Sequence, residues 1–228
     1  MIHRETHRTK ERLQLMTSQG YSYSDAEALG REAFQLCLTN ELYHAQELLF
    51  RARTMLKQLS GDLPIVGYDM LVDGDVGIDT PFVTRSFPEA QAWGWLEIAS
   101  GVFKLVENHP GTSIVHFKRA WRIWRPWGMS TENPDEEDTT ALVERVRAGL
   151  WLGEAWARFM SDRAQSNASA VLRAALAELK RLGQLHLLHE TIEQQRHLPP
   201  ALVGSSSYRE DGQSIPFVLT LLHTADDS

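Results

Sequence analysis

The densest group of metal-ligand side chains lies in the segment HLLHETIEQQRH, residues 186–197. Its polar members recur at helical spacing, within about 100° of one helix face: His186, His189, Glu190, Glu193 and His197. Imidazole and carboxylate groups on one side of a helix can hold a divalent metal ion. The stretch HETIE departs from the H-E-x-x-H motif of zinc proteases because Glu193 stands in place of the second His. Since Leu185, Leu188 and Ile192 form the opposite face, an amphipathic helix with a solvated polar face explains the same pattern.

A second candidate is the segment IVHFKRAWRIWRPWG, residues 114–128, where tryptophans and cations are mixed. On a helical wheel the apolar side chains fall within one arc of about 120°: Ile114, Phe117, Ala120, Trp121 and Trp124. The cations fall in the adjacent arc: Lys118, Arg119, Arg122 and Arg125. A platform for single-stranded nucleic acid requires exposed aromatic rings beside the cations. The sorting instead predicts buried rings and solvated cations, with a partner-binding basic face as the alternative.

Composition favours some functional classes over others. The 228 residues carry a net charge of −7 and a pI of about 5.7, which disfavours general binding to nucleic acid or anionic membranes. The single cysteine, Cys37, excludes an intramolecular disulfide and lies in an apolar helical run that predicts burial. The charged N-terminus and the lack of an apolar run of about 18 residues predict no signal peptide, no membrane partner and a cytoplasmic location.

The elements that would position these groups are predominantly helical. The patterns predict a mostly α protein of antiparallel helical hairpins, with an extended insertion at about residues 65–85 and a C-terminal β-hairpin around Asp211-Gly212. Ser24 with Glu27, and Ser86 with Glu89, predict capping boxes. We expect a basic leader at residues 1–20, a helical domain at 21–200 with an acidic loop at about 130–139, and an extended tail at 201–228. A Ser/Asn turn near residues 166–167 is expected to precede one helix that continues to Pro199.

Three helix pairs share a spacing of small and large residues. Gly30 is followed by Ala45, Leu49 and Ala52, and Gly153 by Ala168, Leu172 and Ala175; a looser pair contains Trp93, Leu96, Ser113, Phe117 and Ala120. This spacing resembles the tetratricopeptide repeat, W-x2-L-G on one helix and A-x3-F-x2-A on the next. The middle pair departs from that pattern, because Glu97 follows Leu96 where the family has glycine. The resemblance implies a protein-interaction scaffold with a concave face, while an ordinary bundle of helical hairpins is the alternative.

The sequence therefore favours a non-enzymatic adaptor or scaffold that binds another protein in a groove between helical hairpins. The first alternative is a helical metal-binding protein or metal-dependent hydrolase that uses the His/Glu face at 186–197. The second is a binder of nucleic acid or another anionic partner through the basic face at 118–125. No cofactor is predicted beyond the divalent metal of the first alternative, and a homo-oligomer stays open.

Overall fold

The computed structural model describes residues 20–61, 84–128, 135–159, 162–199, 216–219 and 222, and all regular secondary structure in this part of the chain is helical. The helices are α1 (Tyr23–Leu38), α2 (Leu42–Ser60), α3 (Phe87–Val106), α4 (Pro110–Trp124), α5 (Glu136–Arg158), α6 (Asp162–Leu182) and α7 (Leu185–Arg196), and a 3-10 turn (Arg125–Gly128) follows α4. The mostly α-helical fold expected from the sequence is confirmed. Most of the expected insertion at 65–85 and the Asp211-Gly212 turn lie outside the described residues, whereas residues 217–219, expected to be extended, are helical.

Short turns fold consecutive helices back on each other. Asn40 ends the α1–α2 turn and Asn108 lies in the α3–α4 turn, both with positive φ angles, 62° and 60°. In each turn a backbone N–H reaches back to the carbonyl five residues earlier, from Glu41 to Leu36 at 2.8 Å and from His109 to Lys104 at 2.7 Å. This hydrogen bond satisfies a carbonyl at the helix C-terminus, and asparagine tolerates the left-handed conformation better than most residues.

Helix α3 lies at the centre of the first half and contacts α1, α2, α4 and α5. Nearly all of it is buried, because it contacts helices on several sides. Its packing against α4 depends on Gly94 and Gly101, two turns apart. A Cβ atom at Gly94 would overlap the Trp124 indole, and one at Gly101 would overlap the Phe117 ring. The two glycines therefore form sockets for the two aromatic rings.

The helix boundaries correct several expectations. Helix α1 is capped by Ser22 and Asp25, not by Ser24 and Glu27. The Ser22 hydroxyl accepts from the Asp25 N–H, and the Asp25 carboxylate accepts from the Ser22 N–H at 3.0 Å. The Ser86 hydroxyl caps α3 as expected by accepting from the Glu89 N–H, but the reciprocal half of the expected capping box differs, because the Glu89 carboxylate accepts from the Arg85 N–H at 2.6 Å. The expected acidic loop at 130–139 is partly helix: Asp135 caps α5, and residues 136–138 form its first turn. Carboxylates there are favoured by the helix dipole and the open N–H groups.

Two further boundaries differ in the second half. The expected turn at residues 166–167 lies inside α6, where the buried Ala164 and Ala168 flank it and hold the helix in the core. The expected continuous helix to Pro199 is instead broken at Gly183, which has a φ of 67°. The Gln184 N–H there bonds the Leu179 carbonyl at 3.0 Å and ends α6.

The glycines of the repeat-like spacing serve different interfaces. Gly30 of α1 lies against the α3 backbone at Trp95 and Leu96, in the neighbouring hairpin. Gly153 of α5 lies against Leu172 of α6, its own hairpin partner. Small residues thus permit close helix approach at both places, as either interpretation requires. The tetratricopeptide-like repeat stays a prediction.

Candidate functional site

The candidate site is a groove between α1, α3, α5 and α7. Gly30 of α1 determines how closely α1 and α3 approach each other there. A Cβ atom on Gly30 would lie 3.2 Å from the backbone nitrogen of Leu96, so the absence of a side chain lets α1 approach α3 closely. This approach places the next residue, Arg31, on the ring of Trp95, with its Cζ atom 4.0 Å from the ring centroid. The contact is a cation–π interaction over a tryptophan whose exposed fraction is 3%.

An ion network joins three helices, α1, α5 and α7, above this tryptophan of α3. The buried Glu144 of α5 accepts from Nη2 of Arg31 at 3.3 Å and from Nε of Arg147 at 3.0 Å. Nη1 of Arg147 donates to the Glu190 carboxylate of α7 at 2.9 Å. The Arg147 guanidinium also lies over the Trp95 ring, 5.4 Å from its centroid. Both guanidinium groups are therefore oriented by carboxylates and by one aromatic ring.

The network borders a cavity of about 270 Å³. Its lining comprises Arg31, Glu32, Phe34, Gln35, Trp95, Arg147, Glu190 and Gln194. Two polar atoms of this lining, Nε1 of Trp95 and Oε1 of Gln194, are buried without a hydrogen-bond partner among the described residues. An unpaired buried polar group costs about 1–3 kcal/mol. Both residues line the cavity, but these two atoms are themselves closed to solvent, so a ligand reaches them only after the side chains around them move.

Carboxylates outnumber guanidinium groups in and around the groove. Arg31 also pairs with Glu27 at 2.8 Å, so the two guanidinium groups pair with three carboxylates, Glu27, Glu144 and Glu190, and Glu32 is a fourth carboxylate in the lining. Burial raises the pKa of Glu144, against the opposing effect of Arg147 and Arg31. Glu32 is exposed and has no ion-pair partner in the described part of the chain. The groove therefore favours a cationic group over an anionic one.

The His/Glu face at 186–197 contributes one residue to this groove. Glu190 is bound by Arg147 and accepts from Nε2 of Gln194 at 3.0 Å, and Glu193 pairs with Arg196 at 2.7 Å. The remaining candidates, His186, His189 and His197, are exposed. In the described part of the chain, no three His, Cys, Asp or Glu side chains are close enough together to hold a metal ion.

The basic face at 118–125 is only partly solvated, unlike the expectation. Arg122 is 5% exposed, and its Nη1 atom has no hydrogen-bond partner within the described ranges. Arg119 is mostly buried and lies 3.9 Å from the buried carboxylate of Glu97. The two remaining cations contact rings, Lys118 at 5.1 Å from the Trp156 centroid and Arg125 at 6.0 Å from that of Trp121. Burial of Arg122 withdraws it from the contact with an extended anionic partner that the sequence allowed.

The aromatic half of the same segment is mostly as expected. Ile114, Phe117, Ala120 and Trp124 are buried in the main core. Trp121 is half-buried and lies under the Arg145 guanidinium, whose Cζ atom is 4.3 Å from the ring centroid. Cations and an aromatic ring are therefore interleaved at this one residue, because α5 supplies a guanidinium that a wheel of α4 alone cannot show.

Sequence reasoning missed most of the groove. Glu190 was singled out, but as a metal ligand, whereas Arg31, Trp95 and Arg147 were not. The sequence signal for the groove was the presence of charged residues within an apolar helical pattern. Glu144 and Arg147 interrupt the apolar residues of α5 at a spacing that places both on one face of the helix. Charged residues at core-facing positions indicate a paired buried network.

Comparison of the chain with models of protein families, with curated proteins and with solved structures finds no match in any of the three. No helix in the described ranges combines the length and apolar character needed to cross a membrane.

Proposed function

We propose that the protein is a non-enzymatic adaptor that binds a segment of another protein in the groove lined by Arg31, Trp95 and Arg147. The observation that carries the proposal is a pair of buried polar atoms beneath one cavity, Nε1 of Trp95 and Oε1 of Gln194, which have no hydrogen-bond partner among the described residues and become accessible when the side chains that cover them move. A polypeptide offers both complements, a carbonyl for the indole N–H and an amide N–H for the amide oxygen.

The charge of the groove specifies the bound segment further. Glu32 lines the cavity beside two guanidinium groups that Glu144 and Glu190 already pair. An anionic segment would meet this excess of carboxylates, whereas a lysine or arginine side chain is attracted to it. The volume of about 270 Å³ lies near the lower limit of small-molecule pockets, about 300 Å³. That size suits one long side chain and the adjoining backbone.

The experiment is a selection of random displayed peptides on the full-length protein, followed by calorimetry with the recovered peptides. We expect enrichment of lysine or arginine. Trp95→Phe removes the indole N–H and should weaken binding about 2- to 10-fold. Glu32→Lys replaces attraction by repulsion and should weaken it about 10-fold. The matched control is Glu136→Lys, the same charge reversal at an exposed position of α5, which should leave the affinity unchanged.

A readout on the wild-type chain separates binding from damage to the fold. The indole N–H resonance of Trp95, assigned through the Trp95→Phe variant, should shift when the peptide is added. A selection that yields no binder would refute the adaptor proposal. Binders that are insensitive to both groove variants, and that leave the Trp95 resonance in place, would refute it equally.

A further inference from the structure

Helix α2 carries a second surface, separate from the groove. Its inner stripe, which includes Ala45, Leu49 and Ala52, is buried. Tyr43 and Phe50 point away from that stripe and are 78% and 72% exposed. Because they are seven residues apart, they lie on one face of the helix, two turns from each other. Two aromatic side chains at such exposure on one helix face indicate an interaction surface.

The charges on this face change sign along the helix. On the side of α2 that carries Phe50, Glu47 lies in the first half, and Arg51, Arg53 and Lys57 lie in the second half; all four are exposed. A second helix of the same sequence in the same direction would place like charges together. In the opposite direction it would place the acidic half of each helix beside the basic half of the other. The face is therefore complementary to itself in antiparallel orientation.

We infer that α2 pairs with α2 of a second copy of this chain, antiparallel and around a twofold axis at Phe50. The two Phe50 rings then meet at the axis. Residue 43 of one copy lies opposite residue 57 of the other, which brings the Tyr43 ring beside the Lys57 ammonium group. Glu47 lies within one helical turn of Arg51 of the second copy, and the twofold axis repeats this ion pair. Antiparallel helices at the usual separation of about 8–10 Å bring such side chains into contact.

The size of the surface determines the strength of the dimer. The 19 residues of α2 span about 28 Å. One helix pair of that length buries less than the roughly 1,200 Å² of a stable complex. We therefore expect a weak, reversible dimer with a dissociation constant in the micromolar range, about 10–100 µM.

The test is sedimentation equilibrium of the full chain over about 5–500 µM, which brackets the expected constant. Glu47→Arg and Arg51→Glu should each raise the dissociation constant at least about 10-fold, since each creates two like-charge contacts. An equimolar mixture of the two variants should dimerise again, because the arginine introduced at position 47 of one chain then faces the glutamate introduced at position 51 of the other. The double variant Glu47→Arg/Arg51→Glu should also recover the wild-type constant within about 3-fold.

Glu136→Arg is the matched control for a reversal outside this face and should leave the constant unchanged. Circular dichroism melting of every variant identifies any loss of folding, and these positions are exposed. Recovery in the mixture cannot come from two misfolded chains. A wild-type chain that is monomeric over the whole range would overturn the inference. So would a dimer whose constant is unchanged by the single reversals, or single variants that do not recover on mixing.

Discussion

Replacement of Gly94 by alanine tests the socket packing of α3 against α4. The added Cβ would overlap three atoms of the Trp124 indole, Cζ2, Cε2 and Cη2. This ring is fully buried, and its Nε1 atom donates to Oε1 of Gln91 at 3.0 Å. The indole is rigid, so either the ring or the whole of α4 must move. A moved ring also loses its hydrogen bond.

The magnitude follows from three contributions. Forcing an extra carbon into a packed core costs about 1–3 kcal/mol. Loss of the Trp124 to Gln91 hydrogen bond costs about 1 kcal/mol. Alanine in place of glycine inside a helix stabilises the fold by about 1 kcal/mol, because alanine has the higher helix propensity. We therefore expect Gly94→Ala to lower the free energy of unfolding by about 1–3 kcal/mol, a fall in Tm of roughly 2–12 °C for a chain of this size.

Gly149 supplies the matched control in α5. It is also buried inside a helix, but among the described residues a Cβ atom there would meet only the Cβ of Ala175, at an ordinary contact distance of 3.6 Å. The gain in helix propensity is then unopposed. Gly149→Ala should raise the free energy of unfolding by about 0.5–1 kcal/mol.

The assay is urea denaturation followed by circular dichroism, with thermal melting as a second measure. The reasoning requires the two substitutions to have opposite signs. If Gly94→Ala is neutral or stabilising, α4 is not seated on α3 by this glycine. If both variants lose stability equally, the loss reflects alanine at any buried helical glycine, and the socket explanation fails.

Three further expectations concern titration and backbone conformation. Burial, with a smaller contribution from Glu107, raises the pKa of Cys37 to about 12, so the native thiol should resist Ellman's reagent at pH 8 and react fully in urea; rapid native labelling would contradict this. Burial opposes ionisation of Glu97, but its cationic neighbours outweigh burial and hold the pKa below its usual 4.5. The ionised carboxylate therefore stabilises the fold, and this contribution is lost as pH falls through the lowered pKa. Glu97→Gln should flatten the pH dependence of the unfolding free energy below about pH 4.5. Burial raises the pKa of Glu144, so ionisation of this carboxyl lowers stability as pH rises from 4.5 through the raised value. Glu144→Gln should therefore change the slope of the unfolding free energy against pH only above about pH 4.5. Unchanged slopes in both variants would refute the directions given for the pKa values of Glu97 and Glu144. Gly183→Ala should cost about 1–2 kcal/mol in urea denaturation, because alanine disfavours the left-handed conformation at φ 67°; a neutral effect would show that this φ is not required.

The helices themselves are readable from the sequence because their determinants are local. Ser86 caps α3, and the apolar stripe of α2 is buried as its spacing predicts. The predicted helix boundaries are wrong where two local signals compete. Ser22 and Ser24 both precede suitable acidic residues, and only the structure shows that Ser22 makes the reciprocal cap. At Gly183 the apolar period continues on both sides, so periodicity conceals the break.

Burial of the cations was the main error, and its cause is tertiary. A wheel of α4 separates Arg122 from the aromatic stripe but assumes that the remaining arc faces water. In the fold that arc is only partly solvated, and burial lowers the pKa of Arg122. Similarly, the pairing of Arg119 with Glu97 joins residues on α4 and α3. One helix examined alone cannot indicate what covers its second face.

The groove is the feature that the sequence predicts least, and its polar groups contribute little to the stability of the fold. Its residues come from α1, α3, α5 and α7, and Gly30, which the sequence pattern placed only in the repeat-like spacing, brings the first two together. Buried ion networks are weak sources of stability, because apolar residues of similar volume are often equally stabilising. Here Glu144 is buried with a raised pKa, and the indole N–H of Trp95 is buried nearby without a hydrogen-bond partner among the residues that the structure describes. A fold that concentrates two such costs at one cavity gains no stability from them, so they are better explained by binding. The peptide carbonyl and the basic side chain that we propose would satisfy the indole N–H and offset the excess of carboxylates together.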